Sequence, residues 1–196
     1  MSGDHVPTRA TAQQLKPLAA TYAAAFVDDP MIRWPLPPSA GLPECNAMFS
    51  ILLEPYLELG VVWELAGCVA SAAWLDPGTA ERFGEIDVAM REFVVPLTDD
   101  NGARYGQFWD WLGSHVPDEP CWFLDMLAVT PQHQGRGFGR TLIEHGLGLA
   151  QADGLPTFLE TSQQGNVGFY QSFGFEVVEH ERAPDGGPAI WFMRHG

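Results

Sequence analysis

Residues 122–139 constrain the rest of the chain more than any other stretch. They run Trp122-Phe123-Leu124-Asp125-Met126-Leu127-Ala128-Val129-Thr130-Pro131-Gln132-His133-Gln134-Gly135-Arg136-Gly137-Phe138-Gly139. The first eight are an apolar run broken by one charge, which predicts a buried strand. Pro131 lacks an N–H and ends the ladder. Three glycines at alternate positions follow, then apolar residues at helical spacing from Phe138 to Ala152. The order is strand, glycine-rich turn, helix. Such a turn points backbone N–H groups outward at a helix N-terminus, where the dipole also favours negative charge. Phosphate or pyrophosphate is the ligand this arrangement fits.

Two common glycine-loop patterns fail here. The Walker pattern needs a lysine where Arg140 stands and a glycine where Gln134 stands. The dinucleotide fingerprint fits Gly135 and Gly137 but then meets Arg140. What remains is Gln134-x-x-Gly137-x-Gly139, preceded by Val129-x-Pro131. This resembles the coenzyme A pyrophosphate loop of the GCN5-related N-acetyltransferases, the GNAT superfamily. A second segment carries the same resemblance: Phe158 to Ser162, then Asn166-x-x-x-Tyr170-x-x-x-Gly174-Phe175. At finer grain the chain is similar to the puromycin N-acetyltransferases and their relatives. That similarity rests on Ala23-Ala24-Ala25-Phe26, Glu119-Pro120-x-Trp122-Phe123-Leu124, Pro131-x-His133-Gln134-Gly135 and Trp191. It is closest from residue 119 onward and thinnest over about 30–118, where such enzymes build the acceptor pocket.

The resemblance implies an α/β (α+β) GNAT fold. A mixed sheet of about seven strands splays into a V, with helices on both faces. It implies one domain over 1–196, with an acceptor-side half to about 118 and an acetyl-CoA half from 119. It implies acetyl-CoA as co-substrate, its pantetheine paired to the backbone of Leu127, Ala128 and Val129. The pyrophosphate would meet Gln134, Gly135, Arg136, Gly137, Phe138, Gly139 and Arg140, with Asn166 and Tyr170 facing the cofactor. Transfer of acetyl to the amine of a small molecule, such as an aminonucleoside antibiotic, is the activity expected. A non-catalytic acyl-CoA-binding module and an acetyltransferase for protein or peptide amines are the alternatives.

Expelling a thiolate calls for an acid, and deprotonating an amine calls for a base. By spacing, Tyr170 reads as a core residue of an amphipathic helix; the resemblance implies that its phenol protonates the thiolate. Asp125 lies four residues before Val129, hence on the same face by alternation unless a bulge intervenes. It is a candidate base, or a structural carboxylate bonded to nearby backbone. Glu160, near the end of the next strand, is the second candidate, or else a strand-end carboxylate meeting solvent or Asn166. Trp34 and Trp109 are candidates for an aromatic acceptor wall. No metal is expected: His133 has no histidine or cysteine partner nearby in sequence and reads as a turn residue.

Bulk properties narrow the partners. The chain has 196 residues, 46% hydrophobic, enough for one sizeable core. Its net charge is -15, with Lys16 the only lysine. Nucleic acid is excluded as an expected partner, since phosphate binding rests on basic surface. An acidic surface suits cationic small molecules, and equally serves solubility or a salt-adapted proteome. Cys45, Cys68 and Cys121 are scattered, which suits a reducing, cytoplasmic setting rather than disulfides. Neither an apolar leader nor a membrane span is expected. A homodimer is left open.

Along the chain, Val6–Ala10 predicts a first strand, and Thr11-x-x-Gln14 a capping box opening a helix to Phe26. Residues 31–43, rich in proline, predict an irregular loop. Helices are expected over 44–59 (with Pro55 inside), 79–93, 102–115, 138–152 and 166–173. Strands are expected over 61–65, 68–75, 122–129, 157–161, 175–181 and 189–193.

Overall fold

The computed structural model describes residues 6–79 and 83–196. In chain order the elements are β1 (Thr8–Arg9), α1 (Leu15–Phe26), α2 (Pro30–Arg33), α3 (Leu42–Leu59), β2 (Val62–Leu65), β3 (Ala70–Leu75) and α4 (Phe83–Val94). They continue as α5 (Ala103–Gly113), β4 (Trp122–Val129), α6 (Phe138–Asp153), β5 (Thr157–Thr161), α7 (Gln164–Gln171), β6 (Glu176–Arg182) and β7 (Ala189–His195). Among the described residues, seven strands form one mixed sheet, ordered β1-β2-β3-β4-β5-β7-β6, in which only β4 and β5 run parallel. Among the described residues, no helix is long and apolar enough to cross a membrane.

The sheet is covered on both faces. On one, α1 and α3 close a core of Leu18, Tyr22, Phe49 and Leu53 over Ala73 and Met126. On the other, α6 and α7 pack Leu142, Ile143 and Tyr170 against Ala72, Trp74 and Leu159. A third cluster sets Phe108 and Leu112 of α5 against Ile190 and Phe192 of β7. All six residues of β3 are buried, as a strand covered on both faces must be. Its polar member, Ser71, donates to Trp63 O (2.8 Å) and pairs with the Tyr22 hydroxyl (3.1 Å).

Local chemistry explains most boundaries. The Gln14 side chain accepts from Thr11 N–H (2.9 Å), closing the expected box. Gly60 ends α3 in the left-handed region at φ 69. Two expectations are corrected. The loop after Phe26 opens with the helical turn α2, because Asp29 accepts from Met31 N–H (2.9 Å) and Pro30 sits at the first helical position. The β2–β3 connection is longer than expected, with Ala66, Gly67 and Cys68 all at positive φ, so β3 begins at Ala70. The expected helix start at 79 runs into residues 80–82, which lie outside the described residues; α4 is described from Phe83.

Two glycines of α6 separate packing from propensity. A Cβ on Gly146 would overlap the Trp74 indole, whose Nε1 donates to Leu142 O (3.2 Å). A Cβ on Gly148 would meet nothing within 4 Å. Gly146→Ala is therefore expected to destabilise by about 1–3 kcal/mol or more. Gly148→Ala is expected to stabilise by about 0.5–1 kcal/mol. Urea unfolding of both variants checks the opposite signs.

Candidate active site

The site begins where two strands part. β4 and β5 pair only at Trp122↔Thr157 and Phe123↔Phe158. Beyond Phe123 no pairing joins them, although β4 continues to Val129. On its other side β4 pairs with β3 in two runs, Ala73↔Met126 and Trp74↔Leu124, so Asp125 is the extra residue of a bulge. This corrects the expected facing. Leu127 and Val129 turn toward α6, while Asp125 and Met126 both serve the α1–α3 face. A one-residue insertion has moved the carboxylate to the opposite face from Val129.

At the C-terminal end of β4 the glycine loop meets α6. Gly137 is the N-cap of α6 at φ 87, with no side-chain cap. Thr141 N–H makes a bond to Gly137 O (3.1 Å), leaving the N–H groups of Gly139 and Arg140 without intrahelical acceptors. A Cβ at Gly135 or Gly137 would meet nothing within 4 Å, so the backbone there faces open space. Gly139 differs: its Cβ position contacts Phe169, Leu127 and Val129 at 3.6–3.8 Å, so it serves packing on β4. Gln134 Nε2 donates to Val129 O (3.3 Å) and Arg136 to Gln132 O (3.1 Å), which hold the loop to itself. Arg140 lies over the Phe173 ring (4.7 Å) and pairs with Glu144 (3.4 Å). His133 is bonded to Thr130 Oγ1 (2.8 Å), a turn residue as expected.

On the opposite side of the sheet a cavity of about 540 Å³ opens between α3, α5 and β4. Its wall includes Ile32, Leu36, Met48, Leu52, Trp109 and Phe123. Asp125 and Glu160 both line it. Six described lining residues are Asp or Glu and none is Lys, Arg or His, so the cavity repels anions. Two of the six are already paired: Asp110 with Arg91 (2.9 Å) and Glu119 with Arg194 (3.0 Å). Burial raises the pKa of Asp125 from 3.8 to about 6, against the lowering effect of a hydrogen bond from the Tyr56 hydroxyl. Glu160 is raised well above the ordinary range, first by burial and then by the nearby Asp125 charge.

Tyr170 is buried on α7, on the β5 side of the gap. Its pKa is raised, first by burial and then by the charges of Glu160 and Asp29. Tyr170 thus neighbours a carboxylate that also lines the cavity. Asn166, four residues earlier on α7, is exposed. Trp109 joins Asp125 and Glu160 in the cavity; Trp34 does not. Trp34 lies under Arg104 (5.5 Å) and lines a shallow depression with Arg33 and Arg182. Its expected place in the acceptor wall is taken by Ile32, Pro35 and Leu36.

Sequence reasoning missed Tyr56, which reaches Asp125 from α3, and Asp29, which accepts from Ser162 Oγ (2.9 Å) across the sheet. Both contacts join residues far apart in sequence, and no local spacing encodes them. The Asp-Pro helix stop at 29–30 was a signal for Asp29 as a cap, though not for its reach to Ser162.

The sequence model of the "Acetyltransferase (GNAT) family" matches residues 59–175, more than half of the chain. The chain belongs to the GNAT acetyltransferase family. It is similar to the peptidyl-lysine N-acetyltransferase YjaB of Escherichia coli, at 32% identity over 137 residues, covering 65% of this chain and 80% of YjaB. Its fold is similar to an acetyltransferase of Corynebacterium glutamicum, described as histone acetyltransferase HPA2 and related, with TM-score 0.68, 21% identity and coverage of 97% and 94% of the two chains. It is also similar to a polyamine N-acetyltransferase of Drosophila melanogaster that forms N-acetylagmatine, with TM-score 0.62, 16% identity and coverage of 97% and 99%. The chain is an N-acetyltransferase, and GNAT enzymes use acetyl-CoA.

The GNAT cavity carries a pH signature. Folded Asp125 holds its proton up to about 6, against an ordinary 3.8. Between those values the folded chain binds more protons than the unfolded one, so this group adds stability as pH falls through that window. Asp125→Asn is expected to flatten that gain and to raise stability at neutral pH, because an amide accepts the Tyr56 bond without a buried charge. Urea unfolding from about pH 7 to about pH 4 measures it. Identical slopes for wild type and variant would show that the carboxyl is not buried as described.

Proposed function

We propose that the chain acetylates a small, largely apolar primary amine that binds as an ammonium in the cavity beside Asp125 and Glu160. The observation that carries this reading is the cavity itself: an apolar wall with carboxylates and, among the described residues, no cation. An ammonium there is attracted by the carboxylates, and an aromatic or alkyl body contacts Phe123, Leu52 and Trp109. In this reading residues up to about 118 supply most of the acceptor wall, and residues 119–196 the acetyl-CoA half.

The cofactor side fits the reading. The uncapped N-terminus of α6 suits a pyrophosphate, with Gly137 leaving room for it. The unpaired edge of β4 from Leu127 to Val129 suits the amides of a pantetheine arm. When bound, acetyl-CoA supplies an acyl thioester in the gap between β4 and β5. Asp125, ionised at neutral pH, takes the proton of the ammonium, directly or through water. Burial and the Asp125 charge favour the protonated form of Glu160, and an entering cation favours the ionised form. The Tyr170 phenol keeps its proton at neutral pH and gives it to the departing sulfur.

A second reading has specific support. A lysyl side chain is itself an alkyl ammonium, and the similar YjaB is named a peptidyl-lysine N-acetyltransferase. The deciding experiment is thiol release from acetyl-CoA with a panel of arylalkylamines, alkyl diamines, puromycin and a lysine-containing peptide. The proposed reading expects turnover with small apolar amines and little with the peptide; the reverse order would move the substrate to proteins.

Tyr170→Phe tests the acid separately. It is expected to lower kcat by roughly 10²-fold while leaving CoA affinity unchanged. Burst kinetics with the best amine of the panel show whether chemistry limits the rate. An unchanged kcat under that condition returns Tyr170 to a packing role.

A further inference from the structure

A second cluster of ligating groups lies away from the cavity, where the end of α5 meets β6. His115 follows α5, and Glu179 and Glu181 stand two residues apart on β6, hence on one face of that strand. Their partners in β7 are Phe192 and Ile190, both packed against α5, so this is the face that looks at His115. The register shift between Val177 and Glu179 sets that alternation. The ligand atoms of the three side chains all lie within 4.8 Å of one another.

The histidine is held for the purpose. Its ring stacks on Phe192 (4.4 Å between centroids, 7° between planes) and meets Trp111 edge-on (4.6 Å). Its Nδ1 lies 2.8 Å from Trp111 O. A carbonyl only accepts, so Nδ1 carries the proton. Nε2 then lies 3.5 Å from Glu181 Oε2. Either a proton on Nε2 or a cation between the two atoms satisfies this pair, and the spacing leaves room for an ion. Backbone carbonyl, imidazole, then cation is the arrangement that orients metal-binding histidines.

We propose that His115, Glu179 and Glu181 bind a divalent transition-metal ion of the zinc type. One imidazole nitrogen with two carboxylates matches borderline ions better than magnesium or calcium, which take oxygen ligands alone. With metal–ligand bonds of about 2.0–2.2 Å, tetrahedral ligands lie about 3.4 Å apart. The Nε2 to Glu181 separation of 3.5 Å already meets that spacing. Glu179 and Glu181 are exposed, so small rotations bring the second carboxylate in while water fills the fourth position. The ion ties the C-terminal end of α5 to β6. Because α5 also supplies Trp109 and Leu112 to the acceptor cavity, the site fixes one wall of it from outside.

The test titrates metal-stripped full-length protein with zinc chloride, followed by calorimetry and by thermal unfolding. One ion per chain and a raised Tm are expected, since the ion binds the folded state. Magnesium chloride at equal concentration is expected to give no shift. His115→Ala, and the double variant Glu179→Gln with Glu181→Gln, are each expected to weaken zinc binding about tenfold or more. The double variant alters exposed side chains only, so it keeps a folded reference if His115→Ala does not. No saturable one-to-one binding, equal shifts with magnesium, or binding retained by the double variant would each overturn the site.

Discussion

A strand inside a sheet needs partners on both sides, and β4 lacks one beyond Phe123. Everything distinctive about the molecule follows from that open edge. β5 leaves β4 after two residue pairs, and Asp125 bulges from the ladder on the opposite side. The gap exposes backbone groups of β4 within the fold rather than at its rim. The glycine loop at the end of β4 directs further N–H groups to the same region. In the proposed reading, an extended cofactor with amide groups and a pyrophosphate completes what the protein leaves unpaired.

The bulge also explains how one strand serves two compartments. By strict alternation Asp125 would share a face with Leu127 and Val129. With one residue inserted, the carboxylate looks into the cavity under α3 while the two apolar side chains pack on the α6 side. Burying carboxylates is costly, and burial accordingly raises the pKa of Asp125 and of Glu160. Tyr56 offsets part of it at Asp125. In the proposed reading an ammonium entering the cavity relieves that cost.

Legibility in the sequence followed the range of the interactions involved. The span of β4 was read correctly because an apolar run followed by a proline is local information. The α6 start was legible for the same reason, through its glycines. The N-terminal capping box depends on residues three apart and was also legible. The bulge at Asp125 was not, because it is defined by the register with β3, fifty residues earlier in the chain. Trp34 was placed in the acceptor wall for its aromatic character, yet Arg104 and the loop after β6 draw it to another face. Tyr56 and Asp29 act through contacts that only the finished tertiary structure creates.

The bond from Ser162 Oγ to Asp29 spans 133 residues. During synthesis Asp29 emerges early, and for most of translation its partner does not yet exist. The early helices α1 and α3 can meet each other, but the sheet face they cover is incomplete until β4 emerges. Glu160 comes with β5, and Tyr170 arrives later still. In the proposed reading, the reaction site is therefore among the later parts of the fold to be assembled. A ribosome-bound chain stalled before β5 would already hold the residues of the α1–α3 core but would lack Glu160, Ser162 and Tyr170.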